Sequence, residues 1–122
     1  MITVEKIGGT SMSHFEDVLK NIMLRDPRQV FGRVYVVSAY SGVTNWLLEH
    51  KKTGEQGVYA KFAGGGDYTA ALDSLTVKLK EINKGMAPLG LPLQVADGFI
   101  EQRMGVLKEY LDSMRQCWRA AT

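Results

Sequence analysis

Two short stretches carry side chains that could do chemistry. The first is Lys6-Ile7-Gly8-Gly9-Thr10-Ser11, inside VEKIGGTSMSHFED. A glycine pair at a strand end lets the backbone approach a ligand closely and turn successive N–H groups toward it. A helix that starts just beyond favours a phosphate at that point. Lys6, on the strand itself, would set a full positive charge against a transferred phosphoryl group. The hydroxyls of Thr10 and Ser11 could donate further hydrogen bonds. Taken alone the stretch reads as an ordinary strand-to-helix turn, because glycine pairs mark turns generally. It is neither GxxxxGK[ST] nor GxGxxG, so the mechanisms tied to those patterns are not implied.

The second stretch is Ser38-Ala39-Tyr40-Ser41-Gly42-Val43-Thr44-Asn45. It leaves the carboxyl end of a second strand and enters another helix. In open α/β sheets ligands sit outside the carboxyl ends of strands, so both loops are expected to face one crevice. One side would carry lysine and glycines, the other Ser38, Ser41 and Thr44. Other candidates are weaker. His14 is read as solvent-facing in the first turn of a helix. Glu49 and His50 end a helix and have no metal-ligand spacing. Cys117, the single cysteine, lies in a helical pattern and is read as a packing residue; it excludes an internal disulfide and suits a reducing compartment.

The elements that must position these loops follow from periodicity. Ile2 to Ile7 alternates apolar and polar, as a short strand does. Ser13-His14-Phe15-Glu16 has the form of a capping box, and Phe15, Val18, Leu19, Ile22 and Met23 then define one apolar helix face that ends at Asp26-Pro27. Val34-Tyr35-Val36-Val37 predicts a strand buried on both faces. A helix is expected from about Val43 into Lys51, with His50-Lys51-Lys52 as its solvated end, and KTGEQG as a turn. AGGGD is a second turn with Asp67 or Thr69 as N-cap. Leu72, Leu75, Leu79 and Ile82 mark a helix that stops at Asn83-Lys84-Gly85, and APLGLPL is a linker. Ile100, Met104, Leu107, Leu111, Met114 and Trp118 mark a long amphipathic helix.

The chain of 122 residues has the length of one ordinary domain. A formal net charge of +2 gives no electrostatic case for a nucleic-acid or membrane partner. No run approaches the roughly 20 apolar residues that span a bilayer, and MITVEKIGG lacks the layout of a secretory signal. The expected compartment is the cytoplasm. Two parallel strands alone leave a buried strand without neighbours, and the last helix reaches CWRAAT without a stop signal. The chain is therefore expected to be the front part of a larger α/β protein.

VEKIGGTS, followed by a helix, a buried strand and VVSAYSGVTN, closely resembles the N-terminal part of aspartate kinases, members of the amino-acid kinase superfamily. The family's motifs read K-F-G-G-T-S and roughly S-A-x-x-x-x-T-[DN], and both occur here in order. The likeness is firm over residues 1–50; beyond them WLLEHKKTGEQGVYAKFA resembles a branch associated with ectoine synthesis. The resemblance implies a three-layer α/β/α fold, of which residues 1–52 would supply a βαβ part and residues 53–122 a helical lobe, with an incomplete sheet and no ACT domain. It implies transfer of the γ-phosphoryl group of MgATP to the side-chain carboxylate of L-aspartate. Lys6 would be catalytic and, with Gly8, Gly9 and Ser11, would contact the ATP phosphates; Ser38 and Thr44 would hold aspartate. No resident metal is implied, Mg2+ arriving with the nucleotide.

Ile7 stands where the family has phenylalanine, and Tyr40-Ser41 replaces a pair that is often small or Met-Gly. AGGGDYTAALDSL is similar to a later family stretch, G-R-G-G-S-D-Y-T-A-A, but lacks its arginine and serine and comes too early, so it is read as a glycine turn with Asp67 as helix cap. The fragment by itself is expected to be inactive. Two other readings stay open: an amino-acid kinase with a glutamate-type substrate, and a non-catalytic module that forms homo-oligomers through its last helix.

Overall fold

The structure is a computed structural model that describes residues 1–121. The chain divides into two compact units, Met1–Thr44 and the residues from Asn45 on.

The first unit is built on β1 (Thr3–Ile7) and β2 (Arg33–Val37). They pair in parallel, with Thr3 opposite Arg33 and Ile7 opposite Val37. A parallel pair cannot be closed by a tight turn, and the return path is helical: α1 (Gly9–Met12), α2 (Phe15–Val18), a π-helical turn over Leu19–Met23 and a 3-10 turn over Pro27–Gln29. Asp26 caps that last turn by accepting the Arg28 N–H at 3.0 Å. Alternation puts Glu5, Ile7 and Tyr35 on one face of the pair. Ile7, Met12 and Val18 form the buried core there, with Phe15, Met23, Tyr35 and Tyr40 packed around them. Arg33 fastens the same face, pairing with Glu5 at 2.7 Å and donating to the Ile22 carbonyl at 3.2 Å. The Tyr35 hydroxyl is shut from solvent, and its burial raises the phenol above its usual range.

Two sequence expectations fail here. The capping box does not form, because the chain is already helical before it. Gly8 is the N-cap of α1, and Ser13 closes that helix with its N–H on the Thr10 carbonyl at 3.2 Å. The other is burial of β2 on both faces. Val34 is 47 % exposed and Val36 52 %. They share the face of Val4 and Lys6, and among the described residues of this unit no element lies over it.

In the second unit, α3 (Val43–Leu47) crosses the boundary and ends earlier than expected. The chain then folds back on itself. Glu49 bridges Gln56 in antiparallel fashion, and the His50 N–H donates to the Glu55 carbonyl at 2.8 Å. His50-Lys51-Lys52 is thus the shoulder of a hairpin, not a helix end. The His50 Nδ1 accepts the N–H groups of Lys52 and Thr53 at 3.2 and 3.1 Å, which closes the tip. Gly57 returns the chain so tightly that a Cβ there would lie 2.3 Å from the Trp46 carbonyl oxygen.

A helix that periodicity did not reveal, α4 (Val58–Ala63), follows, then α5 (Tyr68–Met86) and α6 (Leu93–Ala121). Both long helices exceed their expected bounds, α5 continuing past Gly85 and α6 starting well before Ile100. Phe62 and Leu75 are almost completely buried, with Leu72, Leu79 and Leu111 beside them. Asn83 donates to Asp97 at 3.1 Å, and Lys80 pairs with Glu101, so α5 and α6 are also tied by polar contacts. Cys117 is exposed, which corrects its reading as a packing residue. Among the described residues no helix is long and apolar enough to cross a membrane.

Two predictions follow from this packing. Gly57→Ala is expected to cost at least about 2 kcal/mol, since backbone must shift to admit the Cβ. Gly105→Ala, where a Cβ meets nothing within 4 Å, should instead stabilise α6 by up to about 1 kcal/mol; urea unfolding followed by circular dichroism separates the two. The second concerns pH. The Lys108 ammonium, then the Tyr68 hydroxyl, hold the Asp112 carboxyl below its usual range. A depressed carboxylate stabilises the fold above its unfolded value of about 3.9 and loses that contribution as pH falls through the folded value. Asp112→Asn should therefore flatten the loss of thermal stability below about pH 4; an unchanged acid limb would show that the pair does not contribute.

Candidate functional site

Parallel pairing fixes where the two loops emerge. Ile7 and Val37 are the last partners in register, so Gly8 and Ser38 leave adjacent strands at the same carboxyl edge. Six residues were singled out by the sequence, and the structure brings their two segments to that one edge. Lys6 is exposed on β1, on the uncovered face of the pair. Gly8 is half-buried and extended (φ −75°, ψ 171°), while Gly9 and Ser11 are exposed in the first turn of α1. Ser38 is exposed directly after β2, and Thr44 is exposed within α3.

The first loop is tighter than expected. The helix begins at Gly9, and the Met12 N–H already reaches the Gly8 carbonyl at 3.2 Å. The amides of Gly9, Thr10 and Ser11 therefore stand in a first turn, where no intrahelical acceptor exists for them. Gly8 and Gly9 have no conformational need to be glycine. Neither has a positive φ, and a Cβ at either would meet nothing within 4 Å. Gly42 in the second loop differs: its φ of 91° lies in the left-handed region that favours glycine.

The second loop is held by Tyr40. Its ring meets the Phe15 ring edge-on, with centroids 5.6 Å apart, and its carbonyl accepts the Val43 N–H at 3.2 Å. Burial pushes the Tyr40 phenol above its usual range. In sequence Tyr40 stood out only as a departure from a family pattern; an aromatic in a run of small residues was the available signal.

The glycine turn of the second unit proves structural. Asp67 caps α5 by accepting the Ala70 N–H at 3.0 Å, a bond typically worth about 1 kcal/mol. Arg115 of α6 donates to the carbonyls of Phe62 and Gly66 at 2.7 and 3.0 Å and lies over the Tyr68 ring. These two carbonyls also accept the N–H groups of Gly65 and Tyr68 at 3.2 and 3.1 Å, so Arg115 adds a second bond to each and ties α6 to the turn between α4 and α5. No sequence signal pointed to Arg115. An open groove of about 1050 Å³ lies at the opposite, amino end of the strands, between Thr3, Arg28 and Arg33. Arg28 and Arg33 are already paired there with Asp26 and Glu5, and none of the six residues lines it. Among the described residues, no group of three or more His, Cys, Asp or Glu could hold a metal ion.

Against known proteins, the chain is 45 % identical over 121 residues to an aspartate kinase, Ask_Ect, of Stutzerimonas stutzeri (strain A1501). The match takes in 95 % of this chain but only 25 % of that protein. No family model matches the chain, and no solved structure matches it. The likeness to aspartate kinases read from two loops thus extends over nearly the whole chain.

Proposed function

We propose that this chain is the N-terminal part of an aspartate kinase, of the ectoine-associated branch, and that it supplies one phosphate loop and one substrate loop to the active site. The state of Gly8 and Gly9 carries this reading. The chain itself makes no demand for glycine at either position, and glycine costs stability relative to alanine where it is not needed. A close approach from outside the described chain accounts for both, and the phosphates of ATP are the group that the neighbouring Lys6 charge and first-turn amides would attract.

In the proposed reaction a side-chain carboxylate oxygen of L-aspartate attacks the γ-phosphorus of ATP. The bond to the β–γ bridging oxygen breaks, and ADP departs with that electron pair, leaving 4-phospho-L-aspartate. Lys6 offsets the charge that builds on the transferred group, and the amides around Gly8 and Gly9, with Ser11, hold the phosphates. Ser38 and Thr44 bind and orient aspartate from the adjacent strand end. No protein nucleophile is required, in keeping with a reaction catalysed by positioning and charge. Mg2+ enters as the counter-ion of ATP. In a complete three-layer α/β/α fold, further strands would pair with the free sheet edges and a second helical layer would cover Val4, Val34 and Val36. The exposure of these valines supports that arrangement.

The test uses the full-length protein. Aspartate-dependent ATP consumption is expected, with glutamate a far poorer acceptor in a substrate panel. Lys6→Ala should lower kcat/KM by about 100-fold or more, as the loss of a charged transition-state contact does. Gly9→Ala should lower activity by at least about tenfold while leaving the fold as stable or more so. A parent enzyme indifferent to Lys6→Ala would overturn the role given to that residue.

A further inference from the structure

We infer that Tyr40 is a positioning residue, a pin that sets the substrate loop against the helix of the phosphate loop; this rests on the function proposed above. Three observations meet at this residue. Its ring packs on the Ile7–Met12–Val18 core and edge-on against Phe15. Its carbonyl receives the Val43 N–H and so shapes the turn that leads to Thr44. It stands between Ser38 and Thr44, both of which are exposed.

The loop otherwise has little to hold it. Ser38, Ala39 and Ser41 are exposed, and Gly42 is in the left-handed region. Removing the Tyr40 ring frees the segment between the two hydroxyls proposed to hold aspartate. The phosphate side has further support, because Ile7, Met12 and Val18 bury one another and keep Phe15, Met23 and Tyr35 around them when the Tyr40 ring is removed. The pin therefore acts on the acceptor substrate and not on ATP. The pin is the ring, so phenylalanine should replace tyrosine without loss.

The kinetic test is made on the full-length enzyme. Tyr40→Ala should raise the KM for aspartate about tenfold, with the KM for ATP within about twofold and with Tyr40→Phe matching the native enzyme. Equal rises in both KM values, or a Tyr40→Phe enzyme as impaired as Tyr40→Ala, would overturn the pin. If Tyr40→Ala does not fold, Phe15→Leu removes the edge contact while keeping apolar bulk, and the same split between the two KM values is expected. Amide hydrogen exchange supplies a readout independent of activity. In Tyr40→Ala the Val43 amide should exchange at least about tenfold faster, while the Ser13 and His14 amides, which close α1 behind the first loop, keep their native rates. Uniform acceleration across both loops would mean a merely destabilised core. A parent protein without aspartate-dependent turnover would sink the proposed function, and exchange at Val43 would still decide whether Tyr40 is the pin.

Discussion

The parallel pairing of β1 with β2 is the constraint from which the first unit follows. Parallel neighbours must be joined by a crossover that returns the chain to its starting end, and residues 9–29 do this as a broken helical path rather than a single helix. The break has a local cause. The chain becomes helical at Gly9, immediately after the strand, and must turn again at Ser13 and His14 before α2 can bring Phe15 and Val18 over Ile7. The same register brings two loops from distant parts of the sequence to one edge of the sheet. The chemistry proposed for them depends on this adjacency more than on any single side chain.

The second unit rests on a different principle. Its helices meet through a small apolar centre of Phe62, Leu72, Leu75 and Leu111, and polar side chains at the margins fix how they meet. Arg115 is the most economical of these. One guanidinium donates to two carbonyls of the α4–α5 turn while its centre stands 5.0 Å from the Phe62 ring and 4.5 Å from the Tyr68 ring. A lysine could not replace it, because the planar fork is what reaches both acceptors.

Legibility in the sequence tracked the range of the interactions involved. The two strands, the buried positions of α5 and the Asp67 cap could be read because each depends on a local pattern. Ser13 misled because a capping box describes a helix start only if the preceding residues are not helical, and here Gly9 to Met12 already are. KTGEQG reads correctly as a turn, but His50 to Lys52 reads as a helix end, because the hairpin rests on backbone bonds between residues several positions apart and on Gly57, small enough to pass the Trp46 carbonyl. Val34 to Val37 were read as fully buried because their composition suits a central strand, whereas this stretch of chain supplies a partner on one side only. The loop motifs were recognisable by type and order; the role of Tyr40 was not, since it depends on a contact with Phe15 across the crossover.

The uncovered valines also matter in time. Residues 1–44 leave the ribosome before residues 45–121, and they contain everything needed to pair the two strands and fill the space beneath Ile7. From that moment Val4, Val34 and Val36, together with two unpaired strand edges, face the crowded surroundings of the nascent chain. Open edges and apolar faces of this kind are where neighbouring chains stick to one another. The longer this state lasts, the longer those surfaces are open to a second copy of the chain.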